Sequence, residues 1–176
     1  KQKDMLKSLK KQEKNLLAKQ KEQQKKVDAL NKQIEEMIAK QVRTTTTLTK
    51  EQQLIAGGFE ANQGRLPWPV EKGFISGYFG KHQHPVHEHV TINNKGIYLQ
   101  TVAGANARAI YEGEVSSCAQ INGNYAVIVQ HGNYRTVYSP LKKIYVKQGD
   151  KVKAKQAIGE IVTDTSEDNK TELYFQ

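Results

Sequence analysis

Residues 126–141 read AVIVQHGNYRTVYSPL, and this stretch decides the fold. Two runs rich in β-branched and aromatic residues flank His131-Gly132-Asn133, the pattern of two antiparallel strands joined by a tight turn. The same texture extends both ways from it. Upstream lie GFISGYFG (73–80), NNKGIYLQ (93–100) and NARAIYEGEVSSC (106–118); downstream lie KIYVKQGDKV (143–152) and QAIGEIV (156–162). Gly80, Gly104, Gly113, Gly123, Gly132, Gly149 and Gly159 punctuate these runs. Short strands with regular turn signals predict an antiparallel all-β domain rather than βαβ units.

The N-terminal quarter is different. Residues 1–43 contain no Gly and no Pro and are dominated by Lys, Gln, Glu, Leu and Ala, all good helix formers. Leu6, Leu9, Leu16, Val27, Leu30, Ile34 and Met37 fall on alternating spacings of three and four. The same register passes through Glu13, Gln20, Gln23 and Gln41, so seven of eleven seam positions are apolar. That predicts a coiled-coil helix with a weak middle. Between the two parts, TTTT (44–47) ends the helix, because β-branched residues lose rotamer freedom there. Thr49 and Gln52 form a capping box for a short helix over 50–56, which Gly57 and Gly58 are expected to stop. GRLPWPV (64–70) is expected to be rigid and extended, since each proline constrains its predecessor. The fold class is thus α+β, divided as 1–43 coiled-coil helix, 44–63 linker with a short helix, and 64–176 β domain.

Composition narrows the function. The mean hydropathy of -0.71 fits a chain with one solvated element. No run approaches the roughly 18 to 20 apolar residues of a membrane span. Residues 1–43 carry 13 Lys/Arg against 6 Asp/Glu, and the remainder 14 against 12. The basic helix holds no aromatic residue for stacking bases, so a solvated face is expected and nucleic acid is not a partner. The single cysteine, Cys118, excludes an internal disulfide and a cysteine-rich metal site. The chain opens on KQKDMLKSLKK without a leader and stops at LYFQ inside an expected strand, so it reads as a piece of a longer protein.

Several words in this order resemble the LytM or lysostaphin-like zinc peptidases, which cleave peptide cross-links in bacterial cell wall. GYFGKHQHP (77–85), ANARAIYEGEV (105–115), VIVQHGNYRTVYSPL (127–141) and VKQGDKVKAKQAIGEI (146–161) carry the resemblance, which runs from about Gly64 to Gln176. It implies the antiparallel β fold of that family, of the duplicated-hybrid-motif type. It also implies a site: zinc on two histidines and an aspartate, with two further histidines at the water. This chain departs at all five positions. Asn94 stands for the first ligand histidine and Tyr98 for the aspartate of H-x-G-x-D; Pro140 stands for the histidine of Y-x-H-L; Glu172 and Tyr174 stand for the two histidines of H-x-H-F. Asn and Tyr make a poor zinc shell, so no cofactor is expected.

A degenerate domain of this kind behind a coiled coil resembles the EnvC-type activators of cell-wall amidases, which GRLPWPV and ELYFQ fit closely. The resemblance implies a periplasmic, non-catalytic regulator in cell division or cell separation. Its former active-site groove, lined by Asn94, Tyr98, Pro140, Glu172 and Tyr174, would hold an N-acetylmuramoyl-L-alanine amidase. Its coiled coil would engage an ABC-transporter-like complex of the inner membrane. The segment 48–63 is the candidate cover of the groove, beside a plain linker helix. Two alternatives stay open: a zinc metalloendopeptidase acting on peptidoglycan cross-links, and a peptidoglycan-binding module. HQHPVHEH (82–89) bears on the first, because H-x-H spacing places two imidazoles on one face. Without a carboxylate cluster beside it, the expected reading is an exposed loop.

Overall fold

A computed structural model describes residues 1–44, 49–83, 89, 91–121, 123–166 and 168–176. The chain divides into two compact units, Lys1–Thr46 and Thr47–Gln176.

The first unit is one helix, α1 (Gln2–Thr44). Pairs one turn apart support it: Gln24 Nε2 donates to Asp28 at 3.0 Å, and Lys26 lies 3.8 Å from Glu22. Leu6, Leu9 and Leu16 of the heptad seam are exposed to solvent.

The second unit opens with α2 (Lys50–Ala61). The capping box forms as expected: Gln52 N donates to Thr49 Oγ1 at 3.2 Å, and Thr49 N donates to Gln52 Oε1 at 3.0 Å. The expected stop at Gly57-Gly58 does not occur. The helix runs on to Ala61 and is closed by Asn62, whose side chain donates to the Gly58 carbonyl at 2.8 Å. Packing overrides propensity here. Gly58 lies against the Tyr111 hydroxyl, which would have to shift to admit a side chain, while nothing lies near Gly57. Gly57→Ala should therefore raise stability by about 0.4–1 kcal/mol, and Gly58→Ala by less, because the Tyr111 hydroxyl must move aside. Urea midpoints of the two variants check this pair.

The strands are β1 (Phe74–Gly77), β2 (Gly80–Gln83), β3 (Thr91–Asn94), β4 (Ile97–Thr101), β5 (Asn106–Arg108), β6 (Gly113–Ile121), β7 (Asn124–His131), β8 (Tyr134–Ile144), β9 (Lys151–Val152), β10 (Ala157–Ile161), β11 (Thr163–Asp164) and β12 (Lys170–Phe175). Strands β2 and β3 form a separate ribbon; the others form one sheet ordered β1-β4-β12-β8-β7-β6-β9, with β10 bridging β8 to β5 and β11 on β12. The pairings are antiparallel among the described residues. The β7–β8 hairpin turns at Gly132-Asn133, with φ +71° at Gly132, as a turn with glycine in its first central position requires.

Alternation along the strands builds the core. Leu99, Val127, Val129, Tyr138, Leu141 and Leu173 all lie within it. Val70, at the end of the GRLPWPV segment, joins them, and the carbonyls of Trp68 and Pro69 accept Arg108 Nε and N, each at 2.8 Å.

Helix α2 packs on the β7–β8 turn. Phe59 stacks on His131 at 4.8 Å and on Tyr134 at 5.2 Å between ring centroids, with its edge toward Tyr111 at 6.0 Å. The Tyr134 hydroxyl donates to Glu60, and Lys151 pairs with Glu51 at 3.0 Å. A side chain on Gly132 would strike Ala56. The 44–63 stretch is therefore more than a linker, since its helix belongs to the second unit.

His131 is fully buried beneath Phe59. Its Nδ1–H donates to the Glu112 carbonyl at 2.7 Å, and the Thr136 hydroxyl links Nε2, at 2.9 Å, to the Tyr138 hydroxyl, at 3.1 Å. Burial lowers its pKa, against the opposing pull of the Glu112 carbonyl. The sign follows from linkage. The unfolded chain takes a proton near the ordinary value of 6.5, while the folded imidazole stays neutral to lower pH. The stabilisation is complete above pH ~6.5 and is lost as pH falls from there through the folded pKa, by at most about 1.4 kcal/mol per pH unit. Urea unfolding between pH 7.5 and 5 should show this slope, and His131→Gln should flatten it.

Candidate functional site

The main sheet sets Tyr98, Glu172 and Tyr174 side by side, with Pro140 one residue from the partner of Tyr174 and Asn94 on the separate β2–β3 ribbon. Tyr98 and Tyr174 face each other across β4 and β12, and Glu172 is opposite Gln100 in the same pairing. Because Leu173 and Leu99 turn into the core, Tyr98, Glu172 and Tyr174 share the opposite face. The tyrosine rings lie 5.1 Å apart and tilted by 48°. Gly77, opposite Tyr98, leaves no room for a side chain beside that ring. The Tyr174 hydroxyl donates to Gln176 Oε1 at 2.9 Å.

Pro140 lies in a bulge of β8, next to the residue that pairs with Tyr174. Tyr125 pairs with Leu141 and Val127 with Tyr138, so Ser139 and Pro140 together oppose Ala126. The extra residue lets Tyr138 and Leu141 both point into the core, while Ser139 pairs with Tyr174. Asn94 ends β3 opposite Gly80 and donates to the Tyr78 carbonyl at 2.9 Å. It is thereby tied to the segment that follows Gly77.

Glu172 is held from two sides, an arrangement that sequence reasoning did not foresee. Ser76 Oγ donates to its carboxylate at 2.6 Å, and Lys170 Nζ lies 3.8 Å away. Ser76 sits where the β1–β4 register shifts between Ile75 and Gly77. No local signal marked it, because the contact depends on β1 returning to the sheet edge.

The zinc of the resembled family does not fit this donor set. The Asn94 amide is committed to a carbonyl, Tyr98 and Tyr174 present phenols, and the Glu172 carboxylate is engaged by a hydroxyl and an ammonium. Zinc takes imidazole, thiolate or free carboxylate. Of the HQHPVHEH histidines, His82 lies on β2 opposite Ile92 and His89 in a turn, while His84 and His87 lie outside the described residues. Helix α2, the candidate cover, is seated instead on the β7–β8 turn through Phe59, on the far side of Tyr134 from Pro140 along β8. The aromatic pocket of His131, Tyr134 and Tyr111 explains that position.

Residues 92–176 match Peptidase family M23. The chain is 36% identical over 96 residues to peptidoglycan DD-endopeptidase ShyB of Vibrio cholerae serotype O1, covering 52% of this chain and 22% of that relative. Among solved structures, a zinc-containing peptidase from Vibrio cholerae superposes with a TM-score of 0.51 at 28% identity, covering 62% of this chain and 35% of that one. A chain of the SpoIIIAH and SpoIIQ complex superposes with a TM-score of 0.51 at 26% identity, covering 64% of this chain and 90% of that one. The long α1 helix is thus followed by an antiparallel β domain, and residues 92–176 within that domain match Peptidase family M23.

Proposed function

We propose that this chain is a non-catalytic regulator of cell-wall cleavage, which binds an N-acetylmuramoyl-L-alanine amidase in the groove of Tyr98, Tyr174, Glu172, Pro140 and Asn94 and activates it. One observation carries the reading. The three positions at which the resembled family holds zinc are occupied by the Tyr98–Tyr174 pair and by Asn94, whose amide donates to the Tyr78 carbonyl. Such a groove has lost its Lewis acid and offers the half-buried Tyr98 ring, backed by the buried Tyr174, to a protein partner. The SpoIIIAH and SpoIIQ structure, with a similar fold, is itself a complex between two proteins. On this reading the protein works in the periplasm during cell separation. Helix α1, with exposed seam leucines, engages an ABC-transporter-like complex of the inner membrane.

A second reading, a zinc endopeptidase acting on peptidoglycan, draws on the peptidases among the relatives. Fold does not carry activity without the site. Elemental analysis separates the two readings: the activator should hold well under one zinc per chain, whereas a peptidase should hold one. Titration of cognate amidase into the full chain tests the binding itself. A saturable 1:1 complex is expected, and its absence overturns the proposal.

A further inference from the structure

Away from the groove, three strands meet in a corner whose outward residues are continuous. Glu160 of β10 pairs with Lys143 of β8 and with Asn106 of β5, so these share one face, with Tyr145 and Arg108 two residues further on. Side chains join the face laterally: the Tyr145 hydroxyl donates to Asn106 at 3.0 Å, and Arg108 Nε donates to the Trp68 carbonyl at 2.8 Å. Trp68 and Tyr145 are 47% and 49% exposed, so two large rings stand at the margin of this face.

Lysines flank these strands along the chain: Lys142 and Lys147 either side of Lys143–Tyr145, and Lys153 and Lys155 in the turn that leads into β10. Lys142, Lys147, Lys153 and Lys155 are exposed and have no acidic ion-pair partner among the described residues. Lys155 sits in the turn whose backbone N donates to Ala109, next to Arg108. The acids nearby are engaged: Glu160 pairs with Lys143 at 3.7 Å, and Asp150 accepts the Lys147 backbone N at 3.0 Å.

We propose that this β5–β10–β8 corner docks on the surface of a bilayer rich in anionic phospholipid. The lysines are mobile point charges on flexible stems, without the fixed fork that a discrete anion selects. Clustered lysines of this kind add roughly equal increments of attraction to an anionic membrane. Exposed Trp and Tyr at the margin suit the interface, where an apolar ring and a polar tip are both satisfied. The ring of Tyr145 already has Lys143 above it, 5.8 Å from the centroid, which disfavours stacking on a sugar.

Trp68 is the only tryptophan in the chain, so it reports on this face alone. The full chain is mixed with phosphatidylcholine vesicles with and without phosphatidylglycerol, and tryptophan emission is followed. A shift to shorter wavelength with the anionic vesicles only, reversed by salt, is expected. Replacing Lys147, Lys153 and Lys155 together by Gln should weaken binding by about a hundredfold, on roughly fivefold per lysine. No emission shift, or equal affinity in the triple variant, overturns the proposal. So does binding to soluble polyglutamate but not to vesicles, which would mark a site for acidic polymers instead.

Discussion

Tyr98→Ala is expected to weaken amidase binding by about thirtyfold or more and to remove stimulation of wall cleavage in step. Aromatic anchors that fill a partner's pocket cost about 2 kcal/mol or more when truncated. The Tyr98 ring stands beside Tyr174 on the face away from Leu99 and Leu173, so the change subtracts from the groove and leaves the core side of β4 in place. Circular dichroism should show the same strand content as the parent chain. Tyr98→Phe supplies the finer test. It keeps the ring and loses the hydroxyl, so it should retain most of the binding if apolar area is the main contribution. A partner that tolerates Tyr98→Ala is not held by this pair.

Leu173→Ala should do the reverse. Leu173 is fully buried in the core with Leu99 and Leu141, and truncating a buried leucine costs about 2–5 kcal/mol through lost transfer energy and the remaining cavity. The effect belongs to stability, read as a fall in the urea midpoint at unchanged slope. At temperatures where the variant stays folded, its affinity for amidase should match the parent. Residues 173 and 174 are neighbours in sequence and opposite in role, because strand alternation sends one side chain into the core and the other to the groove. Coupled loss of both properties in both variants would mean that groove and core are not separable as described.

Parts of this architecture were legible from residues alone. The heptad of residues 6–37 and the absence of Gly and Pro before Thr44 identified α1, because helix periodicity and propensity are local properties. The capping box at Thr49 and Gln52 was legible for the same reason. The extension of α2 through Gly57-Gly58 was not, since it rests on Phe59 meeting His131, Tyr134 and Tyr111 from distant segments. Local propensity counts each glycine against the helix by about 1 kcal/mol, and it has no knowledge of the rings that hold the far end of the helix in place.

The groove divides similarly. The family resemblance pointed to Asn94, Tyr98, Pro140, Glu172 and Tyr174, and strand pairing sets Tyr98 and Tyr174 opposite each other with Ser139, the neighbour of Pro140, beside Tyr174. What spacing could not supply was the state of each group. The commitment of Asn94 to Tyr78, the Ser76 contact to Glu172 and the bulge at Ser139-Pro140 all arise from pairing between strands far apart in sequence. Those contacts separate an available metal ligand from a satisfied polar residue.

The most direct measurement is release of dye from labelled peptidoglycan by the full chain alone, by its cognate amidase alone, and by both together. The expected result is background release from the chain alone, unchanged by added zinc or chelator, with a several-fold gain over amidase alone when both are present. Chelator-sensitive release by the chain alone, or no gain with the amidase, would contradict the assignment of this M23 domain as an activator.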